Sequence, residues 1–444
     1  MNRMTSTNRN RRTFATGLSR RNLLGLGGAL GLGGLGLTAC SDGGGTDPGA
    51  AGEPSGEGGQ DFTFTSFALS EDPPKVWLEQ TVADYASDEG ISITASSYAY
   101  NEALNQMILQ SRGGELSGVA HLDIAWLAPM VATGTLVDLS TYTRDAGYTE
   151  ASLGTGQFDG VQYGIPWTTA AIGLIGNSEL LEQAGVDFVP STLTEFEEVL
   201  REVKSLGSDI VPYAASTEVA QLKDFIVWMQ TFGSAVVEDG RCTVGDEASI
   251  EAMTWYKKLY TDGLIAPDIE RSAARNLFSQ GRTAYYDDAP IGSAIVVTNS
   301  PDADIRSKMI PVARPVRNAG DVPQALAWGH VLVVTDGEES TSGAEFAQWL
   351  TSDPDTILGY FDASSNPPTT TEGLESPEVQ EDEFLTAFTD NITATATPSP
   401  FWEFTEYAQM ETAVADSVQA VLLGNQTPEE GMRSAGEAVN ALIS

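Results

Sequence analysis

Histidine and cysteine are nearly absent from this chain of 444 residues, which holds two of each. A Cys/His zinc framework and a disulfide-built scaffold are thereby excluded. Positive charge is scarce too. Lys and Arg total 23 against 62 Asp and Glu, for a formal net charge of −39. Nucleic acid and anionic membrane surfaces carry the same sign, so neither is an expected main partner. No P-loop, HExxH or GxSxG occurs beyond Ala39. What remains is an ordinary globular composition. It is 41% hydrophobic, which is too apolar for a disordered chain. The length suits two to four domains or lobes of about 100–200 residues each.

The beginning of the chain reads as a leader. Arg3, Arg9, Arg11, Arg12, Arg20 and Arg21 make a basic start with no acidic residue, and a Leu/Gly/Ala stretch follows over 23–39. That stretch is too short and too Gly-rich for a transmembrane helix, which needs about 20 apolar residues. It fits a secretory signal peptide. Ser19-Arg20-Arg21-Asn22-Leu23-Leu24 resembles the twin-arginine export signal. Leu37-Thr38-Ala39-Cys40 resembles the lipobox of bacterial lipoproteins, whose Cys is lipidated and becomes the first mature residue. The alternative is a plain signal peptide followed by an unrelated cysteine. The expectation is removal of 1–39 and lipidation of Cys40. The protein is then exported and anchored to the outer face of the cytoplasmic membrane. Residues 40–60, rich in Gly, form a flexible tether. Cys242 is left without a disulfide partner and reads as a buried small hydrophobe. Gly31-Leu32-Gly33-Gly34-Leu35-Gly36 matches GxGxxG, but it lies inside the leader with no strand before it, so no dinucleotide site is assigned.

The body from residue 61 alternates strands and helices. A strand over 62–69 is followed by a helix with Asp72 as its expected N-cap and Gly90 at its end. A strand over 91–94, a helix over about 101–112 and a strand over 122–126 come next. This β-α-β-α-β order predicts an α/β lobe with a largely parallel sheet. A second such lobe is expected after Pro166. In it Thr192-Leu193-Thr194-Glu195 is a capping box opening a helix with Leu193, Phe196, Leu200 and Val203 inward. Further helices are expected over 222–231, 249–261 and 344–350, with a buried strand over 331–334 between the last two, and 407–443 reads as mostly helical.

Several runs along the body resemble one family, the extracellular solute-binding lipoproteins of ABC importers, of the carbohydrate-binding type related to maltose-binding protein. They are Leu122-Asp123-Ile124-Ala125-Trp126; Phe158-Asp159-Gly160-Val161-Gln162-Tyr163-Gly164-Ile165-Pro166-Trp167; Asn177-Ser178-Glu179-Leu180-Leu181; Phe278-Ser279-Gln280-Gly281-Arg282-Thr283-Ala284; Asn366-Pro367-Pro368-Thr369; and Gly424-Asn425-Gln426-Thr427-Pro428. Their order and spacing make the match specific. The chain departs from the family at Gly176-Asn177-Ser178, at Thr168 and at Trp328-Gly329-His330. These are cleft-side positions, so the ligand is expected to differ from the usual malto-oligosaccharides. The resemblance implies a class II periplasmic-binding-protein-like fold, two α/β lobes around a hinge and an interlobe cleft. Lobe 1 is expected over 61–168 with 312–352, and lobe 2 over 169–311 with 353–444. It also implies a monomer that captures a di- or oligosaccharide and hands it to permease subunits served by a cytoplasmic ATPase, with no catalysis, cofactor or metal. A non-sugar solute such as a polyamine, osmolyte or organophosphate is the alternative, and a carboxylate-pair glycosidase a remote one.

A sugar needs flat aromatic platforms and paired polar groups. Trp77, Trp228, Trp255 and Trp349 fall among apolar helix neighbours and are expected in the core. Trp126, Trp167, Trp328 and Trp402 fall at strand ends or in loops and are ligand candidates. Asp287 and Asp288 are candidates as well, and adjacent strand residues point to opposite faces, so one of the two is expected to face the ligand. Tyr98, Tyr100, Asn101 and Glu71 complete the candidate set, in loops at the ends of the first two strands.

Overall fold

The computed structural model describes residues 51–218 and 224–443. The leader and Cys40 lie outside the described residues, as does the start of the helix expected from 222. Among the described residues no helix is long and apolar enough to cross a membrane.

Strand β1 (Phe62–Thr65), helix α1 (Pro74–Glu89), β2 (Ile93–Ser96), α2 (Tyr100–Gly113) and β3 (Val119–Asp123) follow in the order read from the sequence. β1 lies between β2 and β3 and is parallel to both. Two local expectations fail for local reasons. Asp72 does not cap α1, whose N-cap is Pro73 without a side-chain hydrogen bond. Pro74 has no N–H to offer, and the Lys75 N–H donates to the Glu71 carbonyl instead, at 3.1 Å. The third strand stops at Asp123 rather than Trp126. The Asp123 carboxylate accepts the Ala125 N–H at 2.9 Å and bends Ile124–Trp126 into a 3-10 turn.

The rest of the sheet is built from β4 (Gly164–Asn177), helix α3 (Leu193–Ser205), β5 (Val211–Ala214), helix α4 (Arg271–Ser279), β6 (Thr283–Asp288), β7 (Met309–Val312) and β8 (Ala325–Val334). The strand order is β2-β1-β3-β8-β4-β6-β5, with β7 beside β4. β8 runs antiparallel to both β3 and β4, so the sheet is mixed rather than largely parallel. β4 is the pivot of this arrangement. Gly164 to Ile172 pair with β8, whereas Gly173 to Asn177 pair with β6 and β7. One strand therefore belongs to two half-sheets and passes between them at Ile172 and Gly173.

Helices α5 (Ser340–Ser352) and α6 (Pro354–Ser364) cover the first half-sheet. Phe346 of α5 packs its ring on Phe62 and Phe64 at centroid distances of 5.4 and 5.3 Å. Tyr360 of α6 packs on Trp77 of α1 at 5.7 Å. Residues 51–60, expected as the second half of a tether, are instead bonded to the body. The Ser55 N–H donates to Ser340 Oγ at 2.7 Å, and the Gln60 N–H donates to Ser342 Oγ at 2.9 Å. Gly56 has φ +93°, and a Cβ there would meet the Glu338 carbonyl oxygen at 1.9 Å, so only glycine fits this approach. In the second half, Trp228 and Trp255 pack in the core with rings tilted by 54° at a centroid distance of 4.8 Å, as expected for helix-borne tryptophans.

Candidate functional site

A cavity of about 200 Å³ opens where the first half-sheet meets the second. Most of the wall comes from the ends of regular elements. The loop after β1 brings Phe67 and Glu71, and the first turn of α2 brings Tyr100 and Asn101. The first turns of α4 bring Glu270, Arg271 and Arg275, and the end of β6 brings Asp288. Trp328 and His330 of β8, with Ile172 of β4, close the floor. Strand ends and helix N-termini converge here, the usual place for a ligand in an open α/β sheet. Trp328 and His330 are two apart on one strand and so share a face.

The polar groups are held by buried ion pairs. Arg275 grips Asp288 with two nitrogens, Nε at 2.7 Å and Nη2 at 2.9 Å. Arg271 Nη2 donates to Asp224 Oδ2 at 2.5 Å, and its Nη1 donates to the Asp287 carbonyl at 3.0 Å. Asp287 points the other way from Asp288, as neighbours on a strand must. Its carboxylate accepts from Arg314 Nη2 at 2.6 Å and from the Tyr213 hydroxyl. Arg314 itself lies over the Trp228 ring at 4.4 Å. The Tyr100 hydroxyl donates to Asp123 Oδ2 at 2.6 Å, which fixes the Tyr100 ring at the cavity wall. Burial, with the Asp123 charge beside it, drives the Tyr100 hydroxyl well above its ordinary pKa, so it stays a donor. Burial also raises the Glu71 carboxyl above the usual carboxylate range, with Arg275 opposing and Asp288 adding to the rise. Among the described residues no group of three or more His, Cys, Asp or Glu is placed to hold a metal ion.

Of the candidates read from the sequence, Glu71, Tyr100, Asn101, Asp288 and Trp328 line the cavity together. The others stand behind or away from its wall. Trp126 is buried and packs on Tyr100 at 4.9 Å and on Phe67 at 5.4 Å. Trp167 is fully buried, stacked on Tyr360 at 4.3 Å and edge-on to His121 at 4.7 Å. Trp402 is half-buried, donates Nε1–H to Glu411 at 3.2 Å, and packs against the small apolar cluster that contains Trp328. Tyr98 turns its hydroxyl to the Gln110 amide at 2.6 Å. Asp287 is taken up by Arg314.

The sequence reading missed Phe67, Arg271 and Arg275, and placed His330 on the cleft side without making it a ligand candidate. A signal for the arginines was available. Arg271, Ala274, Arg275 and Phe278 recur at i, i+3, i+4 and i+7, so two charges share the inward face of α4. Charges on an apolar face mark a site or a buried pair.

Comparison with known proteins agrees with this architecture. The profile of the family described as "Bacterial extracellular solute-binding protein" matches residues 80–387. A Deinococcus radiodurans protein whose name reads "Probable ABC transporter-binding protein" is 22% identical over 348 residues, 75% of this chain and 81% of that one. A protein of Brucella abortus (strain 2308) whose name reads "Putative binding protein" is 23% identical over 234 residues, covering 51% of this chain. The match spans only 57% of that relative's length. Among solved structures, a Thermotoga lettingae ABC transporter solute-binding protein bound with alpha-D-tagatose superposes with a TM-score of 0.77 at 19% identity, over 87% of this chain and 99% of that one. A maltose-bound T. maritima protein gives 0.77 at 19% identity, over 86% and 100%. The GacH receptor of Streptomyces glaucescens, solved unliganded and with acarbose, gives 0.77 at 20% identity, over 86% and 98%. At these identities the superpositions establish the fold, two-lobed and α/β.

Proposed function

Because the chain belongs to the bacterial extracellular solute-binding protein family, we propose that it captures a di- or oligosaccharide outside the cell and delivers it to an ABC-transporter permease. The function is binding without catalysis. The observation that carries the reading is the make-up of the cavity. Tyr100 and Trp328 offer aromatic faces, and Asn101, Arg275, Asp288 and Glu71 offer hydrogen-bonding groups around them. Apolar platforms ringed by charged donors and acceptors suit a sugar, whose C–H face is apolar and whose rim is hydroxylated. The tagatose, maltose and acarbose held by the structural neighbours support the same class.

Capture works by closure of two lobes on a hinge. We assign 61–168 with 312–352 to the first lobe and 169–311 with the remainder to the second, with one change. Helix α6 packs on α1 through Tyr360 and Trp77, so it moves with the first lobe. The strand shared by both half-sheets, β4, is the natural hinge. Export on the twin-arginine-like leader and lipidation at Cys40 would hold the monomer at the outer face of the membrane, beside permease subunits driven by a cytoplasmic ATPase.

A thermal-shift screen of the body from Ala51 against a sugar library tests the reading. A ligand at 100-fold excess over Kd stabilises by about 2.7 kcal/mol. For a chain of this length, with about 2.1 cal/mol/K of unfolding entropy per residue, that is a rise of about 3 °C in Tm. A rise with polyamines or betaines and none with any sugar would overturn the carbohydrate assignment.

A further inference from the structure

We infer that the sugar taken by this cavity carries an amine, and that Glu71 receives its ammonium group. The inference rests on the carbohydrate reading above and narrows it. Its basis is the charge left over once the ion pairs among the described residues at the cavity have been drawn. Arg275 is spent on Asp288, through two hydrogen bonds. Arg271 is spent on Asp224. Glu71 has no such partner among the described residues. Its carboxylate accepts no hydrogen bond from any described residue, and Arg275 stands beyond ion-pair distance while still acting on it electrostatically. Among the described residues Glu270, at the same cavity, accepts only from the hydroxyl of Ser272. Carboxylates in a partly desolvated wall call for a counter-charge.

A second observation points the same way. His330 lines the cavity, is 2% exposed, and its ring Nδ1 is buried with no hydrogen-bond partner among the described residues. Burial holds its imidazole neutral, with a pKa lowered to about 4. It therefore brings no positive charge to the cavity, and a neutral imidazole keeps one lone pair. Among the described residues the wall is accordingly rich in acceptors and short of uncommitted cations. A neutral sugar meets these acceptors with hydroxyl donors alone. An amino sugar meets them with three charged N–H donors, and charge-assisted hydrogen bonds are roughly twice as strong as neutral ones. Phe67, Tyr100 and Trp328 line the same space, and aromatic faces attract a cation as well as a sugar ring.

The test is isothermal titration at pH 7.5 and low salt with matched series: glucose, glucosamine and N-acetylglucosamine; galactose, galactosamine and N-acetylgalactosamine; cellobiose, its diamino counterpart and the di-N-acetylated form of that counterpart. Acetylation keeps the added bulk and removes the charge. In the series that binds, the amino member should bind at least tenfold tighter than both its neutral and its acetylated partner. In Glu71→Gln that ratio should fall below threefold. Equal or tighter binding of the neutral or acetylated member overturns the inference and leaves the carbohydrate reading standing. Absence of binding throughout overturns the inference where the library screen finds a neutral sugar that raises Tm, and overturns the carbohydrate reading itself where the screen finds no sugar that does. Should Glu71→Gln fail to fold, the comparison of amine with acetamide on the native protein still decides.

Discussion

His121 and His330, the only two histidines of the chain, sit against each other. They lie on the paired strands β3 and β8, with ring centroids 4.5 Å apart, and Phe67 stacks on His121 at 4.0 Å. His121 Nδ1 shares a hydrogen bond with Ser66 Oγ at 2.8 Å. Burial lowers the His330 pKa to about 4, with Asp123 opposing. Burial also drives His121 well below its ordinary value, and the charge His330 would carry adds to this. Both rings are therefore neutral in the folded protein near pH 7, while in the unfolded chain each titrates near 6.5. As pH falls below 6.5 the unfolded state takes up protons that the folded state refuses. Stability is thus fully present above about 6.5 and is lost progressively toward pH 4. A drop from 6.5 to about 4 corresponds to about 3 kcal/mol for His330, and His121 acts in the same direction. Urea unfolding of the native protein and of His330→Gln at pH 7.5, 6 and 4.5 checks this. The variant should lose about 2–3 kcal/mol less than the native protein over that range. Parallel losses would show that His330 does not titrate in this way, because the carboxylates titrate equally in both.

At the scale of elements, β4 decides how the halves of the sheet are joined, and it does so with a small residue at the crossing. A Cβ on Gly173 would meet the Ile392 side chain at 2.3 Å and again at 2.8 Å. Overpacking of this kind costs about 1–3 kcal/mol. Gly173→Ala should lower the stability of the body by that amount in urea unfolding, and Gly173→Ala combined with Ile392→Val should recover part of it. No loss in the single variant would mean that the crossing has room to yield. This element also shows what a sequence can and cannot disclose. The helix α3 was legible because its signal is local: Thr192 Oγ1 accepts the Glu195 N–H at 3.3 Å, and Glu195 Oε2 accepts the Thr192 N–H at 3.1 Å. The end of β3 was not, because a side-chain turn at Asp123 competes with strand pairing that continues the apolar run. The pairing of β8 between β3 and β4 joins segments far apart in the chain, and no local pattern sets its direction. The same holds for the cavity. Glu71, Tyr100, Asn101 and Asp288 stand at element ends that a reader can locate. Trp328 and Trp167, read as strand-end or loop residues, lie inside β8 and β4 instead, and Trp167 is consumed by a stack on Tyr360 that no spacing announces. Arg271 and Arg275 carried a helical pattern, but their meaning depended on Asp224 and Asp288 arriving from elsewhere.

At the scale of the whole molecule the excess of acid sets how stability answers to salt. The formal charge is −39, with 23 cations to offset 62 anions. Several cations are shared. Glu197 takes both Arg201 and Lys258, while Lys308 serves Glu179 and Asp302. Exposed pairs of this sort contribute about 0–1 kcal/mol each and are screened by salt. The deeply buried pair of Arg314 and Asp287, with side chains 2% and 3% exposed, is screened far less. Against these few exposed attractions stands the mutual repulsion of the remaining surface carboxylates, which opposes the compact state. The Debye length falls from about 30 Å at 0.01 M to about 3 Å at 1 M, so added salt removes more repulsion than attraction. The body should melt at a higher temperature in 1 M than in 0.02 M sodium chloride at pH 7.5. Chloride is the proper probe, because sulfate would raise stability through exclusion from the surface whatever the charge. A melting temperature that falls between those two concentrations would show that the ion pairs outweigh the repulsion, and that the acidity of this chain is balanced in space rather than carried as a net surface field.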